Sequence, residues 1–324
     1  MIEEDIRPEL IFKEYLRLAA KDSKIFFANS KKKDIPCPSC LKEGNHSFIK
    51  HNLSYKECSF CKTIFVSPRP SQNDLFKYYQ YSDSAKYFAT TFYDVTAKAR
   101  RLKLWKPKAK MIQNILKKYK FLGKHLIDIG GGFGIFAEEY KSISDSKITI
   151  IEPGPELAII CRKKGFKVIE SFLENVDDGY FKLEPKVFVS FELFEHLHDC
   201  NFFLKKLNKL MMPGDLFLFT TLSGLGIDIQ TLWNKSNSIS LQHLNFFNPH
   251  SIKILLQRNN FDIKEVSTPG KLDIDILFKN KDLVKDKFLK NLLLFSTDKS
   301  RDNLQRFVAN NGLSSHMLVI AQKV

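Results

Sequence analysis

Read for periodicity, the chain changes character near residue 124. Before that point apolar positions recur mainly at helical spacing. They predict a helix from Pro8 to about Ala20, an aromatic-rich helix from Asp74 to Tyr81, and an amphipathic, basic one over 94–118. After it, short buried-type runs alternate with amphipathic stretches. His125–Ile129, Lys147–Ile151, Phe166–Ile169, Lys186–Phe191, Leu216–Thr221, Phe261–Val266 and Met317–Ala321 read as strands. Helices are expected from Gly134 to Tyr140, from Pro155 to Lys164, and from a cap at Asp199 to Met212, where Pro213-Gly214 stops the run. Asn248-Pro249 opens another through Arg258, and the tail adds two more before the last strand. This alternation predicts an α/β fold, a Rossmann-like, doubly wound sheet of seven strands whose ligands bind at the strands' carboxyl ends.

Segment 34–70 interrupts the helical pattern. Tight turns and aromatic or β-branched residues surround Cys37-Pro38-Ser39-Cys40 and Cys58-Ser59-Phe60-Cys61, and the segment closes on Pro68-Arg69-Pro70. Two Cys-x-x-Cys pairs 17 residues apart suit a zinc ribbon. Four thiolates complete a tetrahedral site and leave no open position, so Cys37, Cys40, Cys58 and Cys61 are expected to hold a structural Zn²⁺. His46 and His51 lie between the pairs and read as surface residues, although either could replace a thiolate. Cys161 and Cys200 read as buried helical thiols. The expected organisation is a helix and connector over 1–33, the ribbon over 34–70, a helical connector or substrate cap over 71–118, and the α/β domain over 119–324.

Composition changes this picture little. A 44% hydrophobic and 27% charged chain is that of a globular protein, and no run approaches the roughly 18 apolar residues of a membrane span. The acidic start Met1-Ile2-Glu3-Glu4-Asp5 is the reverse of a signal peptide, so a cytoplasmic location is expected. The formal charge of +15 is compatible with nucleic acid, a membrane surface or a phosphorylated ligand. However, only 9 of the 51 basic residues are arginine, the better bidentate phosphate reader, and the chain is also rich in Phe, Ile and Asn. That pattern matches an AT-rich coding bias with lysines spread over solvated helix faces, and it disfavours nucleic acid as a partner.

The most informative run is Leu126-Ile127-Asp128-Ile129-Gly130-Gly131-Gly132-Phe133-Gly134. Three glycines directly after a strand permit positive φ and close ligand approach. Glu152, 18 residues past Gly134, ends the next strand, where a carboxylate can accept from both hydroxyls of an adenosine ribose. Gly132-x-Gly134-x-x-Ala137 also fits a nicotinamide dinucleotide fingerprint. Asp128 opposes that alternative, because it would repel a pyrophosphate but suits the cationic amino group of a methionine moiety.

Asp128-x-Gly130-x-Gly132-x-Gly134 with Glu152 resembles the first two motifs of class I S-adenosylmethionine-dependent methyltransferases. Phe191-Glu192-Leu193-Phe194-Glu195-His196-Leu197-His198-Asp199 is similar to their fourth-strand motif, and Leu210-Met211-Met212-Pro213-Gly214-Asp215 to the turn before strand five. His243-Leu244-Asn245-Phe246-Phe247-Asn248-Pro249 resembles the segment that follows. The cysteine pairs, then Phe65-Val66-Ser67-Pro68-Arg69-Pro70 and a Tyr-rich helix, look like the zinc-binding region ahead of some bacterial sugar and surface-glycan pathway methyltransferases. The resemblance implies S-adenosylmethionine as cofactor and cofactor contacts from Asp128, Gly130, Gly132, Gly134, Glu152 and Pro153. It places Ser171 and Phe172 near the adenine, and Phe191 by the methionine end. Tyr79 and Tyr87 either close the site or pack in a core. Many deoxysugar C-methyltransferases continue into a further α/β domain. As the sequence ends at Val324, a hydroxyl acceptor is expected at least as much as a carbon.

The implied substrate is a small molecule, a sugar or nucleotide-linked sugar. The alternative is an rRNA or tRNA methyltransferase whose ribbon grips RNA, and a third reading is a binding protein that merely retains the fold. A hydroxyl is a poor nucleophile until a base takes its proton, and histidine suits that role near neutral pH. His196 and His243 follow segments expected at the carboxyl edge of the sheet and are the candidate bases; Glu195 could orient His196. Arg100, Arg101 and Lys103 either grip a diphosphate or form a solvated helix face.

Overall fold

The seven strands are β1 (His125–Ile129), β2 (Ile148–Ile151), β3 (Lys167–Ile169), β4 (Lys186–Phe191), β5 (Leu216–Leu222), β6 (Phe261–Ser267) and β7 (His316–Lys323). They form one sheet in the order β6-β7-β5-β4-β1-β2-β3. The five strands from β5 to β3 are parallel, with Asp128 opposite Ile150 on one side and Val189 on the other. The last strand runs against them: at the start of β5, Gly214 N donates to Lys323 O and Lys323 N to Asp215 O. Strand order therefore reverses between β1 and β4, the position at which open α/β sheets bind ligands.

The computed structural model describes residues 2–181 and 184–324 and separates into two compact units. One comprises 99–221, 253–266 and 318–324, and carries most of the sheet. Its core sets Leu126, Ile148, Ile150, Val187, Val189, Leu216 and Leu218 from the strands against Ala109, Ile112, Leu116, Phe136 and Tyr140 from helices. Ala109, Ile112 and Leu116 form the i, i+3, i+7 stripe of the helix Lys106–Lys118, which starts with Pro107 in its first turn. Fully burying an Ile or Leu in this way contributes about 1.5–3 kcal/mol. Asp199 caps the helix Cys200–Leu210 as expected, its carboxylate accepting from Phe202 N at 3.0 Å.

The other unit comprises residues up to 98, 222–252 and 267–317. Its four-stranded sheet orders Asn245–Phe246, Ile64–Val66, Leu53–Cys58 and Gly44–Lys50, all antiparallel. The hairpin between the two longest strands turns on His51 and Asn52, both at positive φ, the two-residue turn whose twist matches paired strands. The first helix, Glu9–Phe27, runs beyond the expected end at Ala20. Its buried stripe is Tyr15, Ala19, Asp22, Ser23 and Phe27, and the polar pair in its middle disguises the apolar period. Asp22 is buried because it accepts the Ser84 amide at 2.7 Å. The tail holds three helices where the pattern predicts two. The first of them, Asp273–Lys279, follows a Pro-Gly turn, and its Asp273 carboxylate accepts from Ser314, Ser315 and Gln305.

Candidate functional site

The glycine turn leaves β1 at the reversal point. Gly130, Gly132 and Gly134 all have positive φ, between 55° and 71°. A Cβ on Gly131 would come within 2.6 Å of Ile150 Cγ2 and 3.1 Å of Asp128 Oδ2. Each glycine in this run is therefore demanded by conformation or by space.

Glu152, at the end of β2, joins the turn to the helix that follows the strand. Its Oε2 accepts Gly132 N at 2.8 Å and its Oε1 accepts Gly154 N at 2.9 Å. Burial holds its carboxyl above the ordinary range, against the pull of the two amides. Each oxygen keeps a second lone pair, so the carboxylate can still take hydroxyl donors. Pro153 lies between Glu152 and Gly154, next to this bonded pair.

Asp128 is 2% exposed, and its Oδ2 has no hydrogen-bond partner. Burial, then the nearby Glu152, push its carboxyl up to about 7, while Lys108 pulls it down. An unpartnered buried carboxylate oxygen is costly and fits a cationic or donor group arriving from outside the chain.

Lys108 carries no sequence signal that separates it from the other lysines of its helix, yet its side chain is 11% exposed. Nζ donates to Glu192 Oε1 at 2.9 Å and to Thr220 Oγ1 at 3.1 Å, and Thr220 Oγ1 donates to the same Glu192 oxygen at 2.7 Å. The ammonium also lies over Phe191, 4.8 Å from the ring centroid, and 5.1 Å from that of Trp105. Phe191 packs against Phe136 at 4.4 Å between centroids. Glu192 has φ 54°, a conformation rare outside glycine and asparagine, so backbone strain sits directly after β4. Trp105 ends a single π-helical turn, Arg101–Trp105, and its indole N–H is buried without a partner. Arg101 is not turned toward a ligand: its guanidinium is held by Glu138 and Glu139.

Glu195 lies in the turn Phe194–His196 and is 1% exposed. Its Oε2 accepts from Thr221 Oγ1 at 2.8 Å, and burial followed by the charge of Glu192 pushes it up to about 8. His196 ends the same turn, half-buried. His243 belongs to the other unit; its ring Nδ1 is 2.7 Å from Ser238 O. A carbonyl only accepts, so Nδ1 carries the proton, and in the neutral ring Nε2 is the basic nitrogen. Of the remaining expected residues, Ser171 and the 46% exposed Phe172 follow β3. Tyr79, 43% exposed and edge-on to Tyr78, and Tyr87, at the end of the helix Asp83–Tyr87, belong to the unit with His243.

The four cysteines converge. Sγ atoms of Cys37 and Cys61 are 3.5 Å apart, those of Cys40 and Cys58 are 3.4 Å apart, and all four lie within 4.8 Å of one another. A tetrahedral ion with sulfur at 2.3 Å needs sulfurs about 3.8 Å apart, so the set fits zinc. The two loops repeat one conformation. Leu41 N donates to Cys37 O and Cys37 N to Lys42 O; Lys62 N donates to Cys58 O and Cys58 N to Thr63 O. Leu41 and Lys62 both take positive φ. A bond from the Cys37 thiol, with others from Thr63, holds Cys61 well below the usual thiol range. His46 stays exposed beside Ser54, and neither it nor His51 joins the cluster.

The ribbon is strapped to the segment after β5. Val66 N donates to Leu244 O, and Arg69, 3% exposed, donates to Leu244 O and Asn245 Oδ1. Tyr55 OH donates to His243 O, Asn248 Nδ2 to Cys61 O, and Ser39 Oγ to Ser251 O.

A family model described as a methyltransferase domain matches residues 98–266, just over half of the chain. The chain belongs to this methyltransferase family. It is an S-adenosylmethionine-dependent methyltransferase, with the α/β sheet expected of one. No curated protein matches this methyltransferase in sequence. Among solved structures it is similar to the plantazolicin methyltransferase BamL in complex with SAH and a desmethylPZN analog. That match has 14% identity and a TM-score of 0.49, covering 77% of this chain and 94% of the other. It is also similar to a SAM-dependent methyltransferase from Archaeoglobus fulgidus (17% identity, TM-score 0.43, 66% and 94% covered). A third is geranyl diphosphate methyltransferase in complex with SAM (12%, 0.47, 72% and 90%).

Proposed function

We propose that this methyltransferase transfers a methyl group to a hydroxyl, or a carbon, of a sugar or nucleotide-linked sugar in the cytoplasm, with a structural zinc ion in its ribbon. The observation that carries the cofactor assignment is the pairing of two buried carboxylates. Glu152 is laced to the glycine turn at both oxygens, and Asp128 has an oxygen with no partner. S-adenosylmethionine, when bound, supplies an electrophilic methyl on a sulfonium. Glu152 holds the ribose hydroxyls and Asp128 the α-ammonium, while Gly130, Gly132 and Gly134, which have no side chain in the way, line the approach. Trp105 Nε1, a buried unpartnered donor, and the Lys108 ammonium are suited to the α-carboxylate. Phe191 packs by the methionine end, and Ser171 and Phe172 border the adenine.

For the acceptor, His196 or His243 takes the hydroxyl proton. Glu195, whose burial and neighbour Glu192 favour its protonated form, orients rather than deprotonates. The sugar class is supported by the sequence resemblance of the cysteine pairs and the segment after them, and by the scarcity of arginine.

Methyl transfer to a panel of sugars and nucleotide-sugars, run beside total tRNA and rRNA, tests the acceptor; turnover on RNA alone overturns it. Thermal stabilisation by NAD and none by S-adenosylhomocysteine overturns the cofactor assignment separately.

A further inference from the structure

Three successive peptide groups of the glycine turn are each fixed by a side chain. Gly132 N, in the first, donates to Glu152 Oε2 at 2.8 Å. Gly132 O, in the second, accepts the Cys161 thiol at 3.2 Å, and a Cβ on Gly134 would come within 3.0 Å of the same sulfur. Phe133 O, in the third, accepts Lys164 Nζ at 2.8 Å. A peptide group is planar, so a bond to one of its atoms orients the whole unit. Glycine leaves a turn the widest backbone freedom, and a ligand site built on glycines keeps one conformation only where such anchors hold it. Cys161 lies in the helix Pro155–Lys163 and Lys164 follows it directly, so two of the three anchors come from the helix after β2. Burial, then the charges of Glu152 and Asp128, pushes the Cys161 thiol up to about 11, so it remains a donor at neutral pH.

Lys164 makes a second bond. Its Nζ donates to Glu138 Oε2 at 2.8 Å, and the same oxygen accepts Arg101 Nη2 at 2.7 Å. Arg101 Nη1 donates to Glu139 Oε1 at 2.6 Å. Arg101, Glu138 and Lys164 are all half-buried, so salt screens them less than an exposed pair. Burial raises the Glu138 carboxyl, but the bonds from Lys164 and Arg101 outweigh it and hold the group below its ordinary range. Arg101 opens the π-helical turn that Trp105 closes. Such a turn is rare and recurs at functional sites, and here its first side chain is clamped by two carboxylates. A continuous series of charge-assisted bonds therefore runs from the Phe133 carbonyl, in the glycine turn, to the turn that carries the unpartnered indole N–H of Trp105.

We propose that Lys164, Glu138 and Arg101 are positioning residues for the cofactor. They hold the glycine turn and the π-helical turn in one mutual arrangement, so that the turn and the Trp105 N–H meet S-adenosylmethionine together. Lys164 acts through the Phe133 carbonyl, Arg101 through the backbone that carries Trp105, and Glu138 joins the two. This rests on the assignment of the glycine turn and Trp105 to the cofactor given above, and it is independent of the acceptor.

The test is calorimetric titration of the full chain with S-adenosylhomocysteine. Lys164→Met, Glu138→Gln and Arg101→Met should each weaken binding by about fivefold to tenfold, the range for network residues that do not contact the ligand. In Lys164→Met/Arg101→Met the loss should fall short of the product of the two single losses by about threefold or more, because both act through Glu138. Arg101→Met should also quicken amide hydrogen exchange over 131–134, in the turn that Lys164 and not Arg101 touches. If Lys164→Met fails to fold, Glu138→Gln, which keeps the side chain's size, carries the same test. A lowered melting temperature with affinity within about twofold of the parent makes the network a stability feature and overturns the inference. So do single losses that simply multiply in the double variant. A parent that does not bind S-adenosylhomocysteine overturns the cofactor assignment itself, and this inference with it.

Discussion

Asn248 donates its side-chain amide to the carbonyl of Cys61 at 2.8 Å, across 187 residues of sequence. Its own carboxamide oxygen accepts the amides of His250 and Ser251, so one side chain couples the second cysteine loop to the turn after Asn245–Phe246. If the cysteines hold zinc, loss of the metal should be felt well outside the ribbon. The protein should contain about one zinc per chain, and Cys37→Ser should release it. Amide hydrogen exchange should then speed up over 34–70 and also over 244–251. Faster exchange confined to the ribbon, or a metal retained with the four thiols titratable, would count against the coupling.

Glu152 should govern cofactor affinity. S-adenosylhomocysteine at a hundred times its Kd should stabilise the protein by about 2.7 kcal/mol through mass action. Glu152→Ala removes the ribose acceptor and also strands the amides of Gly132 and Gly154. It should weaken binding by roughly 1.5–3 kcal/mol, read by calorimetric titration. Unchanged affinity in that variant would remove Glu152 from the site.

Asp128 sets a pH dependence with a defined sign. Its carboxyl is held near 7 by burial and by Glu152, whereas an unfolded aspartate titrates near about 3.9. The fold favours the protonated form, so this contribution to stability is complete below about pH 4 and is lost as pH rises through 7. Binding an ammonium requires the ionised form, so affinity for S-adenosylhomocysteine should move the other way. It should rise by up to tenfold per pH unit between 6 and 7, and level off above. Asp128→Asn should flatten the affinity profile and reduce the fall in stability; a profile identical to the parent's would refute the assignment.

Lys108 is the cation that opposes this shift. Lys108→Met should raise the midpoint of the affinity profile and leave Glu192 without its 2.9 Å partner. At pH 7 the KM for the cofactor should rise by tenfold or more, and raising the pH to 8.5 should recover part of the loss. A drop in kcat with KM unchanged would point instead to the acceptor side.

The two histidines separate by substitution. A positioned base contributes typically 10²–10⁴-fold to proton transfer. Asn in place of the true base should lower turnover on a hydroxyl acceptor by that order and spare S-adenosylhomocysteine affinity. Near-full turnover in His196→Asn, in His243→Asn and in the double variant would exclude both.

The central sheet was legible because buried parallel strands are nearly continuous apolar runs. Those over 125–129 and 186–191 coincide with β1 and β4 residue for residue. The glycine turn was legible because positive φ and lack of space exclude most side chains, which leaves a compositional trace. Helix ends were less so: Asp22 and Ser23 put polar side chains into the buried stripe of Glu9–Phe27, and only their distant partners, the Ser84 amide for Asp22 and the Asn52 side chain for Ser23, explain them.

By itself, then, the sequence determined the α/β sheet, the glycine turn with Glu152 at the end of the next strand, and the two cysteine loops. Each is a local requirement of backbone conformation, burial or ligand spacing, and such requirements act within a few residues of chain. Tertiary structure alone decided that Lys108, one lysine among many on a basic helix, is the one enclosed against Glu192, Thr220 and Phe191. It also decided that Asn245–Phe246 pairs with Phe65 and Ile64 to complete the ribbon sheet. A hydrogen bond between groups far apart in the chain imposes no periodicity on either segment, so nothing in the order of residues announces it.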